Sequence, residues 1–108
     1  MALGNFPYGL VVVPYSATPT FDCSLGNVFS MTLTGNVTSI TITNAITPHM
    51  YTFLFYQDSS GLHSVTWPVA FHGALSIPIT SLANTIATQT FIYDGSNFIG
   101  VSPGVLNI

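Results

Sequence analysis

The sequence predicts an all-β protein: an antiparallel β-sandwich of jelly-roll type with seven to eight strands and an extended N-terminal arm. Three observations lead there. Apolar residues alternate with Ser, Thr and Asn at a period of two, as in FDCSLGNVFSMTLTGNVTSITITN over 21–44. Turn signals built from Gly, Asn, Asp and Pro recur at intervals of about 8 to 12 residues, the spacing of sandwiches and barrels. Helical periodicity is nearly absent, since only Leu82 and Ile86 in TSLANTIAT stand four apart on one possible turn.

Taken in order, the first 20 residues carry Pro7, Pro14 and Pro19 with Gly4 and Gly9, so LVVVP at 10–14 can form an edge strand at most before an extended arm. Alternation then predicts strands at Val28–Leu33, Ser39–Thr43, Tyr51–Gln57, His63–Trp67, Leu75–Ile79, Thr88–Tyr93 and Asn97–Val101. Gly35 and Asn36 tolerate positive φ and predict a hairpin between the first two of these strands, and DSSG at 58–61 predicts another. Asp94–Gly95 between apolar runs is the strongest hairpin signal, so the last two strands should pair antiparallel. The chain divides into an arm over 1–20, a β-sandwich domain over 21–102 and a C-terminal tail over 103–108.

Composition sets the surface chemistry. Of 108 residues, 48% are hydrophobic and only 3% are charged; there is no Lys or Arg, and Asp22, Asp58 and Asp94 are the only acids. Soluble domains usually keep about a quarter of their residues charged. So uncharged a surface is expected to be buried in an assembly, and a closed homo-oligomer, a trimer, is the expected state. Strands with Thr and Ser outward suit such an assembly, because a satisfied hydroxyl is cheap to bury and an unpaired charge is not. Nucleic acid and membrane surfaces are excluded as partners, since both draw on Lys and Arg that the chain lacks. MALGNFPYGLVVVPY has no positive region ahead of a long apolar run, and no stretch approaches the 18 or so apolar residues of a membrane span, so the chain reads as a cytoplasmic product. The sequon Asn36-Val37-Thr38 would matter only in a secretory setting. Cys23 is the single cysteine and is expected to be a small buried hydrophobe without a disulfide.

Catalysis has little to work with, and no catalytic, cofactor-binding or metal residue is expected. A glycosidase needs a positioned carboxylate pair, but each Asp sits at a strand start or a turn, where it normally serves the backbone. Ser64 beside His63 lacks a G-x-S-x-G elbow, and neither G-x-G-x-x-G nor a P-loop lysine is present. His49, His63 and His72 have no i, i+2 pair to share a strand face, so one chain supplies no ligand set, although one His from each subunit could converge on a symmetry axis. The Thr-x-Thr pairs at 32–34 and 41–43 lack the regular repeat of an ice-binding array.

The order of motifs carries a resemblance. An Asp opening a strand at 22, LGNVF at 25–29, TLTGNVT at 32–38, QDSSG at 57–61, TWP at 66–68 and FIYDGSN at 91–97 together resemble a pattern found in many bacteriophage structural proteins, over residues 21 to about 102. GNFPYGL at 4–10 is similar to the N-F-P-x-G start of such proteins. Members occur as tail-fibre modules and as separate small virion proteins, so the resemblance implies a virion component made in the host cytoplasm. Running from a Met to residue 108, the chain is expected to be a separate protein rather than the last module of a long fibre. The leading expectation is a non-enzymatic decoration or cement protein, an oligomer bound to the capsid or to other virion proteins and anchored by its arm. The alternative is a receptor- or carbohydrate-binding module of a tail fibre.

Overall fold

The computed structural model describes residues 9–108. Among them are eight strands and no helix: β1 (Leu10–Val12), β2 (Thr20–Asp22), β3 (Val28–Leu33), β4 (Thr41–Thr43), β5 (His49–Gln57), β6 (Phe71–His72), β7 (Ile86–Tyr93) and β8 (Phe98–Gly100). Six of them form one sheet in the order β1-β3-β5-β7-β8-β6, and β2 pairs with β4 in a second.

The path is solenoid-like. From β1 the chain crosses to β2, returns as β3, crosses again through Val37 to β4 and returns as β5. Each circuit lies parallel on the last: Leu10 aligns with Val28 and Val28 with Thr52 in the large sheet, Thr20 aligns with Thr41 in the small one, and Val37 bridges Val65 in parallel. Backbone bonds from Thr38 N to Ala17 O and from Cys23 N to Thr43 O, both 2.8 Å, tie successive circuits together. The direction then reverses, with β7 antiparallel to β5 and β8 antiparallel to β7, and β6 closes the far edge parallel to β8.

The chain is therefore all-β, but the expected antiparallel jelly-roll sandwich is overturned by these parallel ladders. The hairpin expected at Gly35–Asn36 does not form, because β3 is flanked by β1 and β5 while β4 belongs to the other layer. DSSG likewise turns the chain without pairing the runs around it, since β5 takes β7 as its antiparallel partner. The strands expected at His63–Trp67 and Leu75–Ile79 reduce to isolated bridges, Val65 lying between Val37 and Ile77. Pro68 and Pro78, which have no N–H to give, help stop any ladder there. Asp94–Gly95 does join an antiparallel pair, β7 and β8. Of the segment expected as an arm, residues 1–8 lie outside the described residues, and Leu10–Val12 is the edge strand β1.

Alternation decides what fills the space between the layers. On β5, Tyr51, Phe53, Phe55 and Gln57 point inward and are buried, with Phe29, Met31 and Leu33 of β3 and Ala87, Gln89 and Phe91 of β7 beside them. From the opposite layer Phe21 of β2 sets its ring edge-on to Phe29 and Phe53, at centroid distances of 5.4 and 5.3 Å. Such pairs add to area burial by about 0.5–1.5 kcal/mol each. Phe71 stacks on Phe98 at 4.4 Å and closes the core under β6 and β8.

Candidate functional site

Each carboxylate is engaged by its own turn. Asp22 Oδ1 accepts from Asn44 Nδ2 (2.8 Å), Ser24 Oγ (2.7 Å) and Ser24 N (3.0 Å), a knot that links β2 to the end of β4 in the next circuit. Asp58 Oδ1 accepts from Ser60 N and Gly61 N and lies 3.0 Å from His63 Nε2. Asp94 Oδ1 accepts from Asn97 N (2.7 Å) and Ser96 N (2.9 Å). Bonding of this kind favours the ionised form. The Asn44 amide and Ser24 hold Asp22 below the ordinary carboxylate range, and the Asn97 and Ser96 amides do the same for Asp94. Partial desolvation pushes Asp58 up, but the Ser60 and Gly61 amides and His63 outweigh it and hold that group low as well.

The histidines are likewise dispersed. His63 faces Asp58, His72 Nε2 lies 3.1 Å from Asn97 Oδ1, and His49 sets its ring edge-on to Tyr51 at 5.1 Å. Among the described residues no three His, Cys, Asp or Glu side chains are placed to share a metal ion. Ser64 is held through its backbone, its N–H donating to Asn36 Oδ1 at 2.9 Å. Cys23 is buried, and burial, with the Asp22 charge adding to it, pushes its thiol up to about 11. A seam among Phe53, Trp67, Leu75 and Gln89 has no room for a water-sized molecule and serves packing.

Two side chains that sequence reasoning missed do the joining. Gln57 Nε2 donates to His63 O at 2.8 Å, and its Oε1 accepts from His63 N at 3.1 Å. Gln89 accepts from Leu75 N and donates to Gly73 O (2.6 Å) and Ser102 O (3.3 Å). Both are buried on the inward faces of their strands. The signal was a Gln at an inward position of an otherwise apolar alternation, where a buried amide must find partners. With Trp67 Nε1 donating to Leu75 O at 2.8 Å, they fasten the irregular 63–77 segment across the core.

What remains is surface. Loops 58–62 and 79–84 meet at one place: Leu62 N donates to Ser81 O (2.8 Å), Asn84 N to Asp58 O (2.9 Å), and Leu82 N to Asn107 Oδ1 (3.1 Å). This tip exposes Leu62, Ile79 and Leu82 beside Ser59, Ser60, Thr80 and Asn84. Its single ionised group is Asp58, turned into its own loop. Among the described residues no Phe, Tyr or Trp is exposed; Tyr15, Tyr56, Trp67 and Tyr93 are half-buried and Tyr51 is fully buried.

Residues 16–98 match the model of a protein family described as "Putative phage tail fibre C-terminal domain". The chain belongs to this family. The match runs from the segment ahead of β2 to the first residue of β8, so β2 to β7 lie within it, the β5–β7 pair included, while the edge strand β1 precedes it. A phage tail-fibre domain is a structural component of the virion. No curated protein and no solved structure matches the chain.

Proposed function

We propose that this tail-fibre domain acts at the host surface, as a receptor- or carbohydrate-binding module, and not as a cement for the capsid. The observation that carries the reading is the family match across residues 16–98. The tip formed by loops 58–62 and 79–84 is the contact surface. Binding residues favour loops held by a rigid scaffold, and here the loop that follows β5 and the loop that precedes β7 are tied to each other by backbone bonds. Its ligand is neutral: hydroxyls and amides beside Leu62 and Leu82 suit the hydroxyl-rich, partly apolar faces of sugars, and no cation is present to bind an acidic group. With no Phe, Tyr or Trp exposed among the described residues, contact at the tip rests on hydrogen bonds and aliphatic packing. The reading includes no catalytic step, since all three carboxylates are spent on turns. Nucleic acid and membrane are not partners; other tail proteins are.

Adsorption tests the reading. Purified protein added to host cells should slow phage adsorption, and Leu82→Asp in the phage should lower the adsorption rate while leaving heat resistance unchanged. Normal adsorption with genome loss at a lower temperature would overturn it in favour of cementing.

A further inference from the structure

We propose that Leu62 is the specificity-determining contact of the tip, an aliphatic side chain presented to the ligand by a strained backbone. The contact rests on the host-surface reading of the tip.

Backbone conformation singles the residue out. Leu62 has φ +63°, in the left-handed region where a Cβ crowds the following carbonyl oxygen. Glycine and asparagine adopt this region at little cost, and a bulky aliphatic residue does not. Among the described residues every other positive φ, at Asn44, Gly61, Gly73, Asn84, Gly95 and Asn107, falls on a Gly or an Asn. Leu62 departs from that pattern at the tip itself.

Neighbouring bonds impose the conformation. Leu62 N donates to Ser81 O at 2.8 Å. On one side Gly61 N donates to Asp58 Oδ1 at 3.1 Å, and the backbone of Gly61 lies too close to Ala83 to admit a Cβ. On the other, Gln57 clasps both the N–H and the carbonyl of His63. A backbone bound on both sides of residue 62 keeps a conformation that its own side chain disfavours.

That side chain does little for the fold. Leu62 is 60% exposed and belongs neither to the buried core nor to the half-buried side chains packed against it. Asn would keep the same backbone bond with less strain, so a Leu at this position is accounted for by what it touches outside the chain. Strained residues of this kind gather at ligand clamps, where they hold a group ready before binding. Leu62 offers methyl groups and no polar atom, and it therefore takes the aliphatic C–H face of a neutral sugar, while Ser59, Ser60 and Asn84 take its hydroxyls.

Leu62→Asn separates presentation from packing, because it removes the contact and relieves the strain together. Its midpoint in urea denaturation should equal or exceed that of the wild type, with unchanged circular dichroism. Added to host cells, about tenfold more of this variant than of the wild type should be needed to slow phage adsorption equally, the loss expected for one well-buried Leu. Leu25→Asn is the matched control, since Leu25 is also 60% exposed but has no positive φ and lies ahead of β3, away from the tip. It should compete as the wild type does and should not raise the midpoint. Leu62→Asn competing as well as the wild type would overturn the inference, as would an equal loss in Leu25→Asn. A lowered midpoint in Leu62→Asn would also overturn it, since the side chain would then be packing within the fold. Wild-type protein that fails to slow adsorption would overturn the host-surface reading and this contact with it.

Discussion

Gln57 pairs with the backbone of His63 as a neighbouring strand would, giving Nε2–H to its carbonyl at 2.8 Å and taking its N–H at 3.1 Å. The side chain stands in for the strand partner that β5 lacks at His63, and it lets the loop after β5 cross the core with its polar atoms satisfied. Gln57→Leu removes both partners at once. Each buried polar group left unpaired costs about 1–3 kcal/mol, so the variant should lose about 2–4 kcal/mol in urea denaturation, with the larger loss in Gln89→Leu, which strands three backbone groups.

Phe21 is the ring that joins the two layers, touching Phe29, Phe53 and Phe55. Phe21→Ala should cost about 3–5 kcal/mol, as large-to-small changes at filled core sites do. Thr20→Ala, one residue away and exposed, should change stability by less than about 0.5 kcal/mol.

Gly61 has φ +64°, and a Cβ there would stand 2.6 Å from Ala83 N and 2.8 Å from Ala83 Cα. The neighbouring atoms are backbone and cannot swing aside. Gly61→Ala should therefore destabilise by about 1–3 kcal/mol and push loop 79–84 away from loop 58–62, read as faster hydrogen exchange at the Leu62 and Asn84 amides.

The carboxyl groups of Asp22, Asp58 and Asp94 all lie below their ordinary value of 3.8 in the folded protein. Near that value the unfolded chain binds more protons than the folded one, so stability rises with pH there. It should be full above 3.8 and fall as pH drops through the lower, folded values. Unfolding midpoints followed from about pH 5 to about pH 2 should show this decline, and Asp94→Asn should flatten its share of the slope.

How much of this was legible follows from what a period of two can carry. Val28–Leu33 stands where alternation put it, and Phe29, Met31 and Leu33 face inward as their spacing requires. The alternation does not say which strands are neighbours, since a parallel and an antiparallel strand bury the same face. Gly35 and Asn36 lie where the chain leaves β3, but Asn36 spends its side chain on Ser64 N and Val37 pairs with Val65, 28 residues on, so the chain passes to the other layer instead of folding back on β3. At the surface, Asp58 and Asp94 were readable as turn residues from their neighbours, whereas Asp22, expected to open a strand, is the last residue of β2. The loop tip was not readable, because the backbone bonds that join Leu62 to Ser81 and Asn84 to Asp58 leave no mark in the order of side chains.

The central claim is that this chain works in the tail fibre, at the surface that meets the host. Labelling the protein on intact particles and imaging them tests it most directly. The account predicts label confined to the fibres, toward their host-facing ends. Label distributed over the capsid shell would contradict it.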